Sequence, residues 1–176
     1  YSIGMLVQLF ISGMNSALTP WMYSKIKKGD ICSMRKVLQL LSVVVVGIAV
    51  ALMLISPELV LIFGSPKYRE AVYVIPPVAA SVFFIFIYNI LSMPQFYYEK
   101  TQFLMAASMA AAGANVVLNF IFIRLFGYIA AGYTTLACYM LYSVGHYIVS
   151  KRILVKEGIQ ENLMNPGFLV ACAVFL

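Results

Sequence analysis

Five hydrogen-bonding side chains share one face of an otherwise apolar stretch near the start of the chain. They fall at offsets of 0, 4, 7, 8 and 11 residues, a spacing that a helix brings to one side; they are Gln8, Ser12, Asn15, Ser16 and Thr19. Such uncharged amides and hydroxyls can bind a neighbouring helix, or they can line a cavity and bind a hydrophilic ligand there. The residues alone leave both interpretations open.

Three later apolar stretches repeat this pattern with polar side chains that are mostly three, four or seven residues apart. The sets are Tyr88, Ser92, Gln95 and Glu99; Ser108, Asn115 and Asn119; and Thr135, Tyr139, Tyr142 and His146. Several helices with such stripes can enclose an aqueous path, although a static bundle with internal hydrogen bonds would have the same pattern. If the path exists, we predict that it is lined by the first stripe together with Tyr88, Asn115, Asn119 and Tyr139. For His146 we favour a packed or interfacial position over a proton relay.

The sequence contains no pattern that indicates catalysis or metal binding. It has no Walker loop, no nucleophile elbow and no Cys/His cluster with metal-ligand spacing. Its six acidic residues lie at the ends of apolar stretches or between them, so a buried acid that carries a coupling ion would have to lie elsewhere. We interpret Cys32, Cys138 and Cys172 as free thiols. We therefore expect no enzyme, no cofactor and no bound metal.

The composition places these stripes in a membrane. Of the 176 residues, 63% are hydrophobic and 10% are charged, whereas about 25% are charged in a soluble domain. Apolar runs separate the charged clusters, and several approach or exceed the roughly 20 residues that cross a bilayer as a helix. The net charge of +6 lies at the ends of these runs, which argues against a nucleic-acid partner. The chain is predicted to be an integral membrane protein in contact with membrane lipids.

Six apolar segments can be marked off along the chain. They cover about 1–23, 37–63, 71–97, 103–123 and 128–149, and a sixth begins near Pro166. Helices of these lengths satisfy their own backbone in lipid, and no sustained alternation at period two favours a barrel. We predict an all-α fold, a polytopic transmembrane bundle of about six segments. Its short connections lead us to expect that successive helices are antiparallel neighbours.

The distribution of Lys and Arg predicts the orientation of the bundle. Nine of the twelve follow the first, third and fifth segments: Lys25, Lys27, Lys28, Arg35, Lys36, Lys100, Lys151, Arg152 and Lys156. Lys67, Arg69 and Arg124 lie on the opposite side. Because basic loops stay in the cytoplasm, we place loops 24–36 and 150–156 there. Arg124 is interpreted as an interfacial anchor, with contact to an anionic substrate as the alternative.

The order of three longer stretches resembles a known family. They are NSALTPWMYSKIKKGD, SPELVLIFGSPKYREAVYVIPPVAASVFFIFIY and YYEKTQFLMAASMAAAGANVVLNFIFIRLFGYIAAGYTTLACYMLYSVGHY. They resemble the bacterial polysaccharide biosynthesis proteins, the O-antigen and capsule repeat-unit flippases of the multidrug/oligosaccharidyl-lipid/polysaccharide exporter superfamily. The likeness covers about residues 1–152. Arg124 departs from it, because many relatives would have an uncharged residue there.

The resemblance implies two helical bundles around a cavity that opens alternately to each side of the bacterial inner membrane. Residues 1–152 would form most of the second bundle, 153–165 a cytoplasmic linker, and 166–176 the start of a further, truncated transmembrane helix. The substrate would be an undecaprenyl-pyrophosphate-linked oligosaccharide, and other polysaccharide assembly proteins would be partners. The alternatives are an ion-coupled multidrug exporter of the same superfamily, a membrane glycan polymerase or transferase, and a structural membrane subunit.

Overall fold

The fold consists of long helices joined by short connections. The computed structural model describes the backbone of residues 2–63, 70 and 72–176, and the side chains of residues 9–62, 70 and 72–176. Within these residues the helices are α1 (Ser2–Lys28), α2 (Ile31–Phe63), α3 (Ile75–Tyr97), α4 (Gln102–Phe126), α5 (Ala130–Lys156) and α6 (Pro166–Phe175). The predicted all-α fold class is confirmed.

Three helices in the described part of the chain are long and apolar enough to cross a membrane. They cover Ile31–Ile62, Ile75–Tyr97 and Gln102–Phe126, that is, α2, α3 and α4. Helix α6 has 10 residues, whereas α1 and α5 have 27 residues each. The apolar helices α2, α3 and α4 are consistent with a membrane protein.

The helix ends follow from local chemistry. Helix α1 continues five residues beyond Tyr23, the predicted end of the first segment, so that its lysines lie in the last turn, where positive charge offsets the helix dipole. Gly29 then turns the chain with a φ of 68°, a conformation that glycine adopts without steric cost. At the start of α6, Asn165 Oδ1 accepts a hydrogen bond from the Gly167 amide at 2.9 Å, and Pro166 occupies the first turn. The predicted start of the sixth segment near Pro166 is therefore confirmed.

Helix α3 lies at the centre of the bundle. It packs against α1, α2 and α5, whereas α4 packs against α5 and α6 packs against α2. The expectation that successive helices are neighbours is wrong for α3 and α4. These helices are joined by the short turn 98–101, yet α4 packs on α5 instead. A short connection constrains only the joined ends, and side-chain packing decides where the rest of each helix lies.

The contacts between helices show their relative directions. Thr19 contacts Met93, and Tyr23 contacts Tyr97 four residues further along each helix, so α1 and α3 are parallel. Phe84 of α3 contacts Ser143 of α5, and Gln95 contacts His146. The residue numbers rise together along both helices, so α3 and α5 are also parallel.

Helix α4 runs antiparallel to α5. Ser108 pairs with Tyr142, and Asn119 pairs with Thr134, so the residue numbers rise along α4 as they fall along α5. The C-terminal ends of α1, α3 and α5 therefore lie at one end of the bundle. The nine basic residues that follow the first, third and fifth segments lie at this end, which we call the basic end.

The core fills the space where α1 and α2 meet α3. Its fully buried apolar side chains include Met22, Met34, Leu38, Phe83, Phe86 and Ile90. Helix α3 is buried along most of its length, whereas α4, all of which is described, contains no buried residue. The three cysteines are free thiols, as the sequence predicted, with Cys32 exposed and the other two buried.

Candidate functional site

The polar stripe of α1 is divided by the packing of α3. Asn15 and Thr19 are half-buried, whereas Ser12 and Ser16 are exposed. The Thr19 hydroxyl lies 3.6 Å from Met93 Sδ on α3 and donates to the Asn15 carbonyl oxygen at 2.8 Å. The Ser16 hydroxyl donates to the Ser12 carbonyl oxygen at 2.9 Å, within α1 itself. Gln8 lies on α1, but its side chain is outside the described residues.

The stripes of α3 and α5 meet in a cluster of aromatic rings. The rings of Tyr88 and Tyr139 are nearly parallel, with centroids 6.1 Å apart and planes that differ by 7°. Tyr142 lies against Tyr88 at 4.8 Å and meets the His146 ring edge-on at 4.4 Å. Phe103 of α4 covers another side of His146 at 5.6 Å. The sequence predicted Tyr88 and Tyr139 as separate pathway residues, and the fold brings them into one cluster.

A buried amide–imidazole pair lies next to this cluster, towards the basic end. Gln95 Nε2 is 2.7 Å from His146 Nδ1, and both side chains have 0% exposure. Gln95 Nε2 also donates to the Leu91 carbonyl oxygen at 3.2 Å. His146 is packed inside the bundle, as the sequence analysis favoured. A hydrogen bond in such a buried interface is stronger than in water, so the pair fixes the alignment of α3 and α5.

Helices α4 and α5 are joined by a second set of hydrogen bonds. Asn119 Nδ2 donates to Asn115 Oδ1 at 2.9 Å, and the Thr134 hydroxyl donates to Asn119 Oδ1 at 2.5 Å. Nearer the basic end, the hydroxyls of Ser108 and Tyr142 are 2.6 Å apart. The predicted residues Asn115 and Asn119 thus lie on the face of α4 that contacts α5.

Sequence reasoning missed Thr134 and assigned its neighbour Thr135 to the stripe of α5. The stripe was chosen by its spacing from Tyr139 and Tyr142, whose rings contact Tyr88 of α3. Thr134 belongs to a different face, which points towards α4. The available signal was the complementary stripe on α4, because an antiparallel partner needs its own polar residues opposite Asn119.

A groove opens between α4 and α5 at the end of the bundle opposite the basic end. Its volume is 420 Å³, and it is lined by Leu118, Phe122, Phe126, Ile129, Ala130, Tyr133, Thr134 and Ala137. Nearly all of this lining is apolar, and the hydroxyl of Thr134 already binds Asn119. The groove therefore suits a hydrocarbon chain rather than a polar ligand.

Arg124 is exposed near the C-terminal end of α4. Its Cζ atom lies 3.9 Å from the centroid of the Phe120 ring, a cation–π contact one helical turn away. Phe120 and Arg124 lie on a different face of α4 from Leu118 and Phe122, which line the groove. The structure thus separates Arg124 from the groove and from the aromatic cluster. Lys67 and Arg69, which the sequence places on the same side, are outside the described residues.

Ion pairs and hydrogen bonds fix the loops at the basic end. Lys25 Nζ lies 2.5 Å from Asp30 Oδ2, and the Ser33 amide donates to Asp30 Oδ1. The hydrogen bond from Lys25, followed by the bonds from Ser33, lowers the pKa of Asp30 to about 2. Arg35 donates to the Asn162 carbonyl oxygen at 2.8 Å and lies 3.3 Å from Glu161. The start of α2 therefore holds the segment that follows α5.

Together the α3–α5 and α4–α5 contacts form a layer of uncharged polar and aromatic side chains that is buried at Gln95 and His146 and exposed at Ser108. Its members can exchange hydrogen bonds with hydroxyl and amide groups and stack against flat or apolar faces. Comparison with protein-family models, curated proteins and solved structures found no match to this chain.

Proposed function

We propose that this chain is part of a membrane transporter that moves a lipid-linked oligosaccharide across the bacterial inner membrane. The substrate would be an undecaprenyl-pyrophosphate-linked O-antigen or capsule repeat unit, carried from the cytoplasmic to the outer leaflet by alternating access. The proposal includes a bundle of about six membrane segments, with the basic end and loops 24–36 and 150–156 in the cytoplasm. Residues 1–152 would belong to one of the transporter's two bundles.

The observation that carries this proposal is the uncharged polar layer on α5 and its neighbours. A glycan presents many hydroxyls and few charges, so amides, hydroxyls and tyrosine rings match its chemistry better than ionised groups do. The part of the layer between α4 and α5 extends from Ser108–Tyr142 to Asn119–Thr134. As a sugar crosses, these pairs would exchange their mutual hydrogen bonds for bonds to its hydroxyls. The resemblance to repeat-unit flippases supports the same function.

A multidrug exporter of the same superfamily is the second candidate. The aromatic cluster favours it, because the rings of Tyr88, Tyr139 and Tyr142 would stack equally well on a planar aromatic compound.

Deletion of the full-length gene distinguishes the two candidates. For a flippase we expect lipid-linked oligosaccharide to accumulate on the cytoplasmic leaflet, and complementation with the intact gene to relieve it. Normal surface polysaccharide together with altered drug sensitivity would instead identify the exporter. If neither phenotype appears, a membrane glycan polymerase or transferase and a structural subunit remain as interpretations.

Substitutions within the full-length protein test the polar layer itself. We expect Asn15→Leu and Asn119→Leu each to lower transport by up to about tenfold, because each removes an amide that we assign to binding the substrate, and one such hydrogen bond contributes about 1 kcal/mol. Protein levels in the membrane should stay unchanged, as measured by immunoblotting beside a transport assay. Val116→Leu, at an exposed apolar position of α4, is the matched control. Normal transport by both asparagine variants would exclude these residues from the pathway.

A further inference from the structure

The segment between α5 and α6 has almost no hydrogen bonds of its own. Helix α5 is closed by Gly158, which has a φ of 83°, and the Ile159 amide donates to the Leu154 carbonyl oxygen at 2.9 Å. Beyond this point, residues 160–164 take part in no backbone–backbone hydrogen bond among the described residues. We call residues 160–164 the strap. Its position therefore depends on side-chain contacts with the rest of the bundle.

Two apolar side chains seat the strap in the core. Leu163 is 3% exposed and Met164 is 0% exposed, and both belong to the same buried cluster as Met34 of α2. The preceding residues of the strap, Gln160 and Glu161, are exposed. Burial of apolar surface is favourable but has no preferred direction. It holds the two side chains without fixing the backbone that carries them.

Arg35 of α2 makes both hydrogen bonds that tie the strap to the described part of the chain. Its Nε donates to the Asn162 carbonyl oxygen at 2.8 Å, and its Nη2 donates to Glu161 Oε2 at 3.3 Å. The Arg35 side chain is 30% exposed and that of Glu161 is 54% exposed. Water and salt compete for an ion pair with this exposure, so the bond to the Asn162 carbonyl oxygen is the stronger of the two.

We propose that the strap is a detachable link between α5 and α2, and that Arg35 fastens it. Helices α2 and α5 each pack against α3, and the strap joins the end of α5 to the start of α2 at the basic end. In the seated state it resists separation of these two helix ends. In the released state Leu163 and Met164 leave the core, and the link between the helices lengthens.

Release of the strap requires no helix to unfold. The hydrogen bonds that break are the two from Arg35, and the apolar surface that is uncovered is that of the Leu163 and Met164 side chains and their neighbours. Segments with few backbone hydrogen bonds open at a lower free energy than the helices around them. The inference does not depend on what the protein transports.

Maleimide labelling of the full-length protein, with the native cysteines replaced, tests whether the strap opens by itself. The reporter is Met164→Cys, and Met34→Cys is the matched control, because both methionines have 0% exposure and Met34 lies within α2 beside Arg35. We expect the Met164→Cys protein to react at least about tenfold faster, since its thiol becomes accessible without the opening of a helix. Equal rates for the two proteins would overturn the proposal.

Substitution of Arg35 tests the fastening. Arg35→Met keeps the apolar stem and removes both hydrogen bonds, so we expect it to speed the reaction of Met164→Cys by about tenfold. The rate for Met34→Cys should stay the same. Glu161→Gln removes only the ion pair and should have a smaller effect, and Lys36→Gln, which removes a neighbouring charge, should have none. An equal increase at Met164→Cys and Met34→Cys, or no increase at either, would overturn the proposal.

Leu163→Cys is a second reporter in case Met164→Cys itself loosens the strap. If the strap leaves the core as a unit, Arg35→Met should speed the reaction of Leu163→Cys by a similar factor. A response at Met164→Cys without one at Leu163→Cys would indicate a local cavity at the shortened side chain, and it would exclude release of the strap.

Discussion

At the scale of the residue, the destination of each hydrogen bond separates two kinds of polar side chain. Serines such as Ser42 and Ser92 bond to their own helix and join nothing to it. Gln95–His146 and Thr134–Asn119 instead bond across helices. In the sequence the two kinds cannot be distinguished, because each is a polar residue on one face of a helix. Of these two kinds, only the cross-helix hydrogen bonds must break or rearrange when the helices move against each other.

The turn between α1 and α2 gives the chain a defined response to acid. Because the pKa of Asp30 falls from 3.8 to about 2 on folding, its contribution to stability is present above pH 3.8. That contribution is lost as the pH falls towards about 2 and the carboxylate is protonated. We expect Asp30→Asn to lower the melting temperature at pH 5 and to have little effect at pH 2.

Thermal unfolding of both proteins in detergent across this pH range checks the expectation. Lys36→Gln is the control for a general change of charge at the basic end, because Lys36 is exposed and lies outside the ion pairs among described residues. An Asp30→Asn effect that persists unchanged at pH 2 would exclude the ion pair as its source.

At the scale of the element, close approach distinguishes the α3–α5 contact. A Cβ atom on Gly132 would lie 3.0 Å from Pro77 Cγ and 3.2 Å from the Val74 carbonyl oxygen. The carbonyl belongs to the backbone at the start of α3 and cannot rotate away. Small residues permit such contacts between membrane helices. Gly132 therefore sets the distance between α3 and α5 at the end remote from His146.

We expect Gly132→Ala to destabilise the bundle by about 1–3 kcal/mol more than the same substitution at a glycine with open surroundings, because the added methyl group overpacks the contact. Gly113→Ala on α4 is the matched control, since nothing lies within 4 Å of its Cβ position. At Gly113 only the higher helix propensity of alanine should act, and we expect it to stabilise the protein by about 1 kcal/mol. Unfolding in a graded detergent series measures both. Equal stability of the two variants would contradict the close contact.

The sequence predicted elements better than it predicted their neighbours. Apolar periodicity was sufficient for the helices, and Asn165–Pro166 marked the start of α6 correctly. The pairing of α4 with α5 as antiparallel neighbours was predicted correctly, but the face of α5 that meets α4 was not, since Thr134 bonds to Asn119 and the predicted stripe contained Thr135. The aromatic cluster was within reach, because Tyr88, Tyr139 and His146 had each been placed on stripes. Which stripes face each other is decided by the tertiary packing of the helices, which the spacing of residues within one helix does not show.

At the scale of the whole molecule, the parallel arrangement of α1, α3 and α5 collects the basic residues at one end. Cysteine labelling in the full-length protein, with native thiols replaced, tests both this arrangement and its orientation. We expect Lys28→Cys, Lys100→Cys and Arg152→Cys to react with a membrane-impermeant maleimide only after cell lysis. Tyr128→Cys, at the other end, should react in intact cells.

The pattern of labelling separates two possible errors. If the three basic-end positions react together in intact cells while Tyr128→Cys does not, the fold stands and the orientation is reversed. If the three positions differ among themselves, the parallel arrangement of the helices is contradicted. Labelling of exposed Cys32 in the otherwise unchanged protein serves as an internal reference for the basic end.

The unequal burial of α3 and α4 also has a consequence for how the sequence can change over generations. Every side chain of α4 retains some contact with the surroundings, whereas α3 is enclosed by α1, α2 and α5. On α4, many apolar residues can replace one another if the face towards α5 keeps its amides. On α3, a change of one methylene disturbs several neighbours at once. Substitutions should therefore accumulate on α4, at the edge of the bundle, and be selected against on α3, at its centre.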